Sequence, residues 1–296
     1  MPLVSTANLV VPNAATDLGR GVAADALSQI GRAIGAFNVI TLEHAEAIVA
    51  GATAANRPVI LQISENAVRF HGGALGPVAA AARAVAMAAT VDVALHLDHV
   101  TSVDLLRQAP EHGFGSVMAD FSRLSYPDNV AATREAAEFA HEHGLWIESE
   151  LGTVGGKDGA PPLPPHAPGA RTDPGEAARY VEATGVDALA VAVGSSHAMT
   201  SRDAQLDHEL IAALRVAVPV PLVLHGSSGV TDADLRKAVA AGIVKVNVGT
   251  ALNVAFTDTV RGALAADPTV VDPRKYLAPG RDAMAQTVAS FLTVLA

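Results

Sequence analysis

Short apolar runs alternate with longer, alanine-rich amphipathic stretches along almost the whole chain. The runs fall at 36–40, 59–63, 93–98, 116–119, 145–150, 188–193, 222–225 and 245–248. They are short and nearly continuous, as expected of strands buried on both faces. Helical patterns lie between them at 43–55, 74–89, 103–109, 127–143, 174–184, 208–217, 232–240 and 251–266, and a last one at 281–295 closes the chain. The joints carry matching boundary chemistry: Pro127 and Pro174 suit a first helical turn, Asp173 and Thr231 are N-cap residue types, and Gly113, Gly144, Gly185 and Gly242 stand where helices should stop. Eight βα units in strict alternation predict an α/β fold, a (β/α)8 TIM barrel with an additional C-terminal helix, rather than an open doubly wound sheet. No shift of composition marks a linker, so residues 1–296 read as one barrel domain. The Gly- and Pro-rich segment 153–171 breaks the rhythm. Because it leaves the C-terminal end of a strand, we read it as a mobile active-site loop.

Composition narrows the chemistry. The chain is 50% hydrophobic but only 4% aromatic, so its core must be assembled from many small aliphatic contacts. A formal charge of −10 with no Lys/Arg run argues against a nucleic-acid partner, and any anionic substrate must be held by local donors. With no cysteine, disulfides, thiolate metal sites and Cys nucleophiles are excluded. Residues 1–21 lack a basic n-region and are interrupted by Asn8, Pro12, Asn13 and Asp17, which does not describe a signal peptide. No apolar stretch approaches the roughly 20 residues of a membrane helix. A cytoplasmic protein with no membrane partner is expected.

In a barrel the C-terminal strand ends share one mouth, and polar groups recur there. The third run ends in His96, Asp98 and His99, the fifth in Glu148 and Glu150, the seventh in His225-Gly226-Ser227-Ser228-Gly229, and the eighth in Asn247-Val248-Gly249-Thr250; Ser196-His197 follows the sixth. His99, His197 and His225 fit the three-ligand requirement of a catalytic zinc site, although separate packing imidazoles remain an alternative at this stage. Glu148 and Glu150 share a face of one strand, so a cation or basic partner is expected beside them, with Glu150 the better placed as a further ligand. The Gly-Ser turn at 226–229 and the step from Gly249 to Thr250 read as anion cradles of backbone N–H groups, hydroxyls and a helix N-terminus.

The sequence resembles the class II, metal-dependent ketose-bisphosphate aldolases, the fructose- and tagatose-bisphosphate aldolase group. The likeness is carried by Gly35-Ala36-Phe37-Asn38-Val39, His96-Leu97-Asp98-His99, Glu148-Ser149-Glu150-Leu151-Gly152, Ser196-His197, Leu224-His225-Gly226, Asn247 with Thr250, and Asp272-Pro273-Arg274, in this order over most of the chain. It implies reversible retro-aldol cleavage of a phosphorylated ketose to dihydroxyacetone phosphate and an aldehyde. Under this resemblance His99, His197 and His225 bind Zn2+ or another divalent metal, with Glu150 available when the ion shifts, and Asp98 moves the proton on the substrate C4 oxygen. Gly226, Ser228, Asn247 and Thr250 hold the dihydroxyacetone-phosphate half, joined by Asn38 and by Ser64 from the second strand. Arg274 matches a residue contacting the far phosphate. A monovalent cation is a further cofactor implied in this way, as is a homo-oligomer, dimer or tetramer. Lys245 reads as a structural strand residue and His96 as support behind the ligands.

There are departures. The relatives' loop carries Gly-Gly and an acidic pair whose Glu exchanges a proton at the ketose-phosphate carbon; here Gly155-Gly156-Lys157-Asp158-Gly159 is one residue short, with Lys157 in the place of that Glu and Asp158 the nearest carboxylate. Val100 replaces a Gly, Ile40-Thr41 an Asn-Asn pair, and Ser227 a second Gly. Two rival expectations follow: a metal-dependent sugar-phosphate isomerase or epimerase, and a non-catalytic sugar-phosphate-binding barrel.

Overall fold

Eight strands pair in chain order, all parallel, and close on themselves through β1 and β8. They are β1 (Ile34–Asn38), β2 (Val59–Ser64), β3 (Val93–Val100), β4 (Ser116–Ala119), β5 (Trp146–Leu151), β6 (Ala188–Val191), β7 (Leu222–Leu224) and β8 (Ile243–Val248). The structure, a computed structural model, describes residues 3–10, 32–152 and 170–296. Its helices are α1 (Thr6–Val10), α2 (Leu42–Ala55), α3 (Glu65–Phe70), α4 (Leu75–Ala88), α5 (Val103–Leu106), α6 (Tyr126–Glu142), α7 (Pro174–Thr184), α8 (His208–Ala217), α9 (Asp232–Ala241), α10 (Thr250–Ala266) and α11 (Arg274–Val294). This is the TIM barrel expected from the alternation. The expected caps form: Asp173 accepts from Glu176 N at 2.8 Å and Thr231 from Asp234 N at 3.2 Å.

Two helical expectations need correction, and two short helices are additional. The helix expected at 103–109 is cut to α5, and α1 and α3 were not anticipated because each is too short to show a period. The C-terminal helix expected at 281–295 instead begins at Arg274. Pro279 and Gly280 lie inside it, and a Cβ on Gly280 would come within 2.7 Å of the Phe256 ring of α10. The glycine is there for close helix packing, and tertiary contact carries the helix through the proline.

The low aromatic content shows in how the barrel is filled. Its lower interior holds Ile34, Ala36, Ile60, Ala94, Met118, Ala188, Ala190 and Val223 around Trp146, and Val10 of α1 joins the same cluster. Thr6 Oγ1 of α1 lies 2.6 Å from Ser116 Oγ, which ties the plug to β4. Above this apolar layer the inward positions turn polar: Gln62, His96, Glu148 and Lys245 are all within 1% of complete burial. That polar layer is the floor of the site. Among the described residues no helix is long and apolar enough to cross a membrane.

Candidate active site

Strict alternation along β3 directs Ala94, His96 and Asp98 inward and would send His99 out towards the helices. The strand avoids this. Its register with β4 slips between Leu97 and Val100, and His99 adopts φ 50°, in the left-handed region that few non-glycine residues occupy. The slip brings His99 to the mouth together with Asp98. A comparable shift between β7 and β8 turns Lys245 and Asn247 inward.

One nitrogen or oxygen from each of His99, Glu150, His197 and His225 lies within 4.8 Å of all the others. The three imidazole rings are mutually edge-on, with centroids 4.7–5.6 Å apart. Two of them are oriented from behind by carboxylates: His99 Nδ1 is 2.7 Å from Asp120 Oδ2, and His225 Nε2 is 2.9 Å from Glu148 Oε1. Each bond leaves the opposite ring nitrogen for an ion, the carboxylate–histidine arrangement of protein metal centres. His225 Nδ1 is 3.2 Å from Glu150 Oε2, and Ser195 Oγ donates to the His225 carbonyl at 2.5 Å. The set of three imidazoles and one carboxylate fits a divalent metal.

The surrounding charges are arranged for that ion. Burial works against charge on Glu148, but the Lys245 ammonium, with Nζ 2.8 Å from Oε2, and His225 outweigh it and hold the carboxyl well below its usual range. Burial alone would lower His225; hydrogen bonds to Glu148 and Glu150 more than offset it and raise the imidazole to about 9. His96 is pushed down to about 3 by burial and by Lys245, so it is a neutral ring. Its Nδ1 is 2.8 Å from Ser116 Oγ, and its Nε2 is 3.8 Å from Asp98 Oδ1.

The mouth is a cavity of about 540 Å³. Asp98, His99 and His197 line it, together with Ser228, Gly226, Asn247, Gly249, Thr250 and Asn38. Gly226 has φ 66°, and a Cβ there would sit 2.4 Å from the Ser196 carbonyl oxygen. Ser228 Oγ accepts from Ala251 N at 3.0 Å, keeping its own O–H to donate at the start of the 17-residue α10. Asn247 Oδ1 accepts from Lys245, and its Nδ2 is a buried donor with no hydrogen-bond partner among the described residues. Asn38 is fixed by a bond from Gln62 Nε2 to its Oδ1.

A family model described as fructose-bisphosphate aldolase class-II matches residues 23–296. The chain belongs to the class II fructose-bisphosphate aldolase family. It is 40% identical over 261 residues to the fructose-bisphosphate aldolase of Geobacillus stearothermophilus, covering 86% of this chain and 88% of that one. It is 38% identical over 265 residues to the Staphylococcus aureus (strain MW2) fructose-bisphosphate aldolase, covering 87% and 90%. Among solved structures, the YdjI aldolase of Escherichia coli K12 superposes with a TM-score of 0.77 at 31% identity, over 92% of this chain and 94% of the other. Fructose-bisphosphate aldolase from Campylobacter jejuni gives 0.76 at 26%, over 92% of each chain.

In this class II aldolase, a metal-dependent aldehyde-lyase, most of the residues singled out in the sequence come together. Ser64 lines the cavity and also caps α3, accepting from Ala67 N at 3.2 Å. Arg274 does not join them: its side chain is 89% exposed, bonded to Asp272, and outside the cavity. Lys157 and Asp158 lie outside the described residues, as do residues 153–169 of the expected loop. Lys245 is more than a structural strand residue, being the buried cation that holds Glu148. Asp120 was missed altogether; the one available signal was a carboxylate immediately after a short apolar strand.

Proposed function

We propose that this aldolase reversibly cleaves a ketose bisphosphate of the fructose or tagatose type, giving dihydroxyacetone phosphate and an aldehyde phosphate, with Zn2+ as its metal. The observation that carries the reading is the convergence of His99, His197, His225 and Glu150 beside Asp98, next to a neutral anion cradle. Bound Zn2+ supplies Lewis acidity for the ketose carbonyl. Gly226, Ser228, Thr250 and the α10 N-terminus bind the phosphate of the dihydroxyacetone half, and the Asn247 and Asn38 amides orient its hydroxyls. Asp98 takes the proton from the C4 hydroxyl as the C3–C4 bond breaks. The C4 oxygen becomes the aldehyde carbonyl, and the bonding electron pair stays on C3. In condensation Asp98 returns the proton. Glu148 and Lys245 keep the His225 ring in place throughout.

The remaining proton, at the ketose-phosphate carbon, we assign to Asp158. Asp158→Asn is expected to slow solvent exchange of that proton more than Lys157→Ala does, measured by deuterium incorporation into dihydroxyacetone phosphate. The opposite order would make Lys157 the base or its immediate partner. The function itself is tested by incubating zinc-loaded protein with fructose and tagatose 1,6-bisphosphates and identifying products by NMR. Formation of dihydroxyacetone phosphate is expected. An epimerised or isomerised ketose, or no turnover with any divalent metal, would refute it.

A further inference from the structure

The plug at the bottom of the barrel is joined to Asp98 by a row of buried polar side chains that the cleavage chemistry above leaves unused. Val4 N donates to the Val93 carbonyl at 2.9 Å, which pins the chain entering α1 to the start of β3. Thr6 Oγ1 lies 2.6 Å from Ser116 Oγ, and Ser116 Oγ lies 2.8 Å from His96 Nδ1. Ser116 and His96 are paired neighbours across β4 and β3, and Asp98 stands two residues beyond His96 on the same inward face. Thr6, Ser116 and His96 are completely buried, and Asp98 is 1% exposed. Valine has the shape of threonine and would close the apolar floor as well, so a buried hydroxyl at residue 6 is there for its hydrogen bond.

The direction of the row follows from what surrounds His96. The ring is neutral, so one of its nitrogens carries a proton and the other a lone pair. Nε2 faces two carboxylates, with Asp98 Oδ1 at 3.8 Å and Glu148 Oε2 at 4.0 Å. A lone pair there would be repelled by both, whereas an N–H is attracted. The proton therefore sits on Nε2, Nδ1 accepts from the Ser116 hydroxyl, and the Ser116 oxygen accepts from the Thr6 hydroxyl. Glu148 already has a partner for each oxygen, Lys245 Nζ at 2.8 Å on Oε2 and His225 Nε2 at 2.9 Å on Oε1. Asp98 Oδ1 has no hydrogen-bond partner among the described residues, and neither has His96 Nε2. These are the two groups left to meet. A separation of 3.8 Å is beyond a hydrogen bond, and catalytic contacts of this length commonly close once substrate is bound.

We propose that Thr6, Ser116 and His96 form a positioning relay: the hydroxyl on α1 fixes the His96 tautomer, and His96 Nε2–H holds Asp98 Oδ1 so that Oδ2 faces the C4 hydroxyl. The relay rests on the aldolase reading above, and it makes the N-terminal helix, at the far end of the barrel, part of what aims the base at the mouth. Two proton transfers should then respond differently. Cleavage of the C3–C4 bond uses Asp98; solvent exchange of the dihydroxyacetone-phosphate proton does not. The test compares the zinc-loaded wild type, Thr6→Val, Thr6→Ser, Ser116→Ala, His96→Leu and His96→Gln in two assays. One is single-turnover cleavage of whichever of fructose and tagatose 1,6-bisphosphate the wild type cleaves, and the other is deuterium exchange into dihydroxyacetone phosphate. Loss of a hydrogen bond between neutral groups corresponds to about a two- to tenfold effect, and loss of one to a charged group to about a ten- to hundred-fold effect. Thr6→Val and Ser116→Ala are expected to slow cleavage by the smaller factor and His96→Leu by the larger, with exchange at the wild-type rate in all three. Thr6→Ser keeps the hydroxyl and His96→Gln offers an amide N–H in place of Nε2–H, so both should recover most of the cleavage rate. Wild-type cleavage in Thr6→Val, an equal fall of cleavage and exchange, or no recovery in Thr6→Ser would overturn the relay. Failure of the wild type to cleave either sugar would remove the aldolase reading instead, and the relay with it.

Discussion

At the scale of single residues, Asp98 is set apart by what it does not do for the fold. It is 1% exposed, yet its Oδ1 makes no hydrogen bond among the described residues. A buried carboxylate oxygen left in this way costs stability, and the return is a base aimed at chemistry. Asp98→Ala is expected to bind zinc and dihydroxyacetone phosphate almost as the wild type does while cleavage falls by about 10²- to 10⁴-fold, the usual size of a general-base contribution. Isothermal titration and a coupled cleavage assay separate the two readouts, and retained cleavage would take the proton transfer away from Asp98. Asp120 works at one remove, through His99. Asp120→Ala should weaken zinc binding by about 10- to 100-fold, as is common when a carboxylate behind a ligating histidine is removed. A chelator competition assay checks this, with Ser122→Ala as a control that leaves the carboxylate on His99.

At the scale of elements, the barrel was legible because each strand is a short apolar run and each helix a longer periodic one, separated by glycine, proline and capping residues. Strand-end polarity likewise exposed His99, His197, His225, Glu150 and Asp98 as a group. The sequence did not reveal how His99 and Lys245 reach the interior. Two-residue alternation cannot place neighbours such as Asp98 and His99 on one face; a register slip in β3 and another at β8 do so, and both are properties of strand pairing. Strain is the physical cost: His99 at φ 50° and Ala198 at φ 58°, the residue after His197, are two of the three non-glycine residues with positive φ among the described residues. Gly226 shows the same economy without a side chain. Gly226→Ala combines a left-handed φ with a Cβ 2.4 Å from the Ser196 carbonyl oxygen. We expect it to lower stability by about 1–3 kcal/mol, seen in urea unfolding, and to raise KM for the sugar phosphate by displacing Ser228 and His225. A variant with wild-type stability and KM would show that the turn tolerates a side chain.

At the scale of the whole molecule, the barrel interior carries unbalanced charge. Among the described residues, Asp98, Glu148 and Glu150 are buried to within 1%, against a single buried ammonium, Lys245. The formal excess of two negative charges matches a divalent cation; without one, a proton on His225 is the nearest substitute. The unfolded imidazole titrates near 6.5 and the folded, metal-free one at about 9. Because the folded value is the higher, this group's stabilisation is complete below about pH 6.5 and is lost as pH rises through 9. His96 acts in the other direction: its folded value near 3 means that the unfolded chain alone takes up this proton as pH falls below 6.5, so stability drops there too. The metal-free protein should therefore have its highest Tm near pH 6.5 and lose stability steadily towards pH 9. Zinc displaces the His225 proton, so the loaded protein should lack the alkaline decline. The same competition makes apparent zinc affinity rise by up to about tenfold per pH unit across that window. Differential scanning fluorimetry of chelator-treated and zinc-loaded protein from pH 5.5 to about 9.5 reads the first effect, and competition with a chromogenic chelator the second. An alkaline decline of equal slope in both forms would mean that the proton and the metal do not share His225.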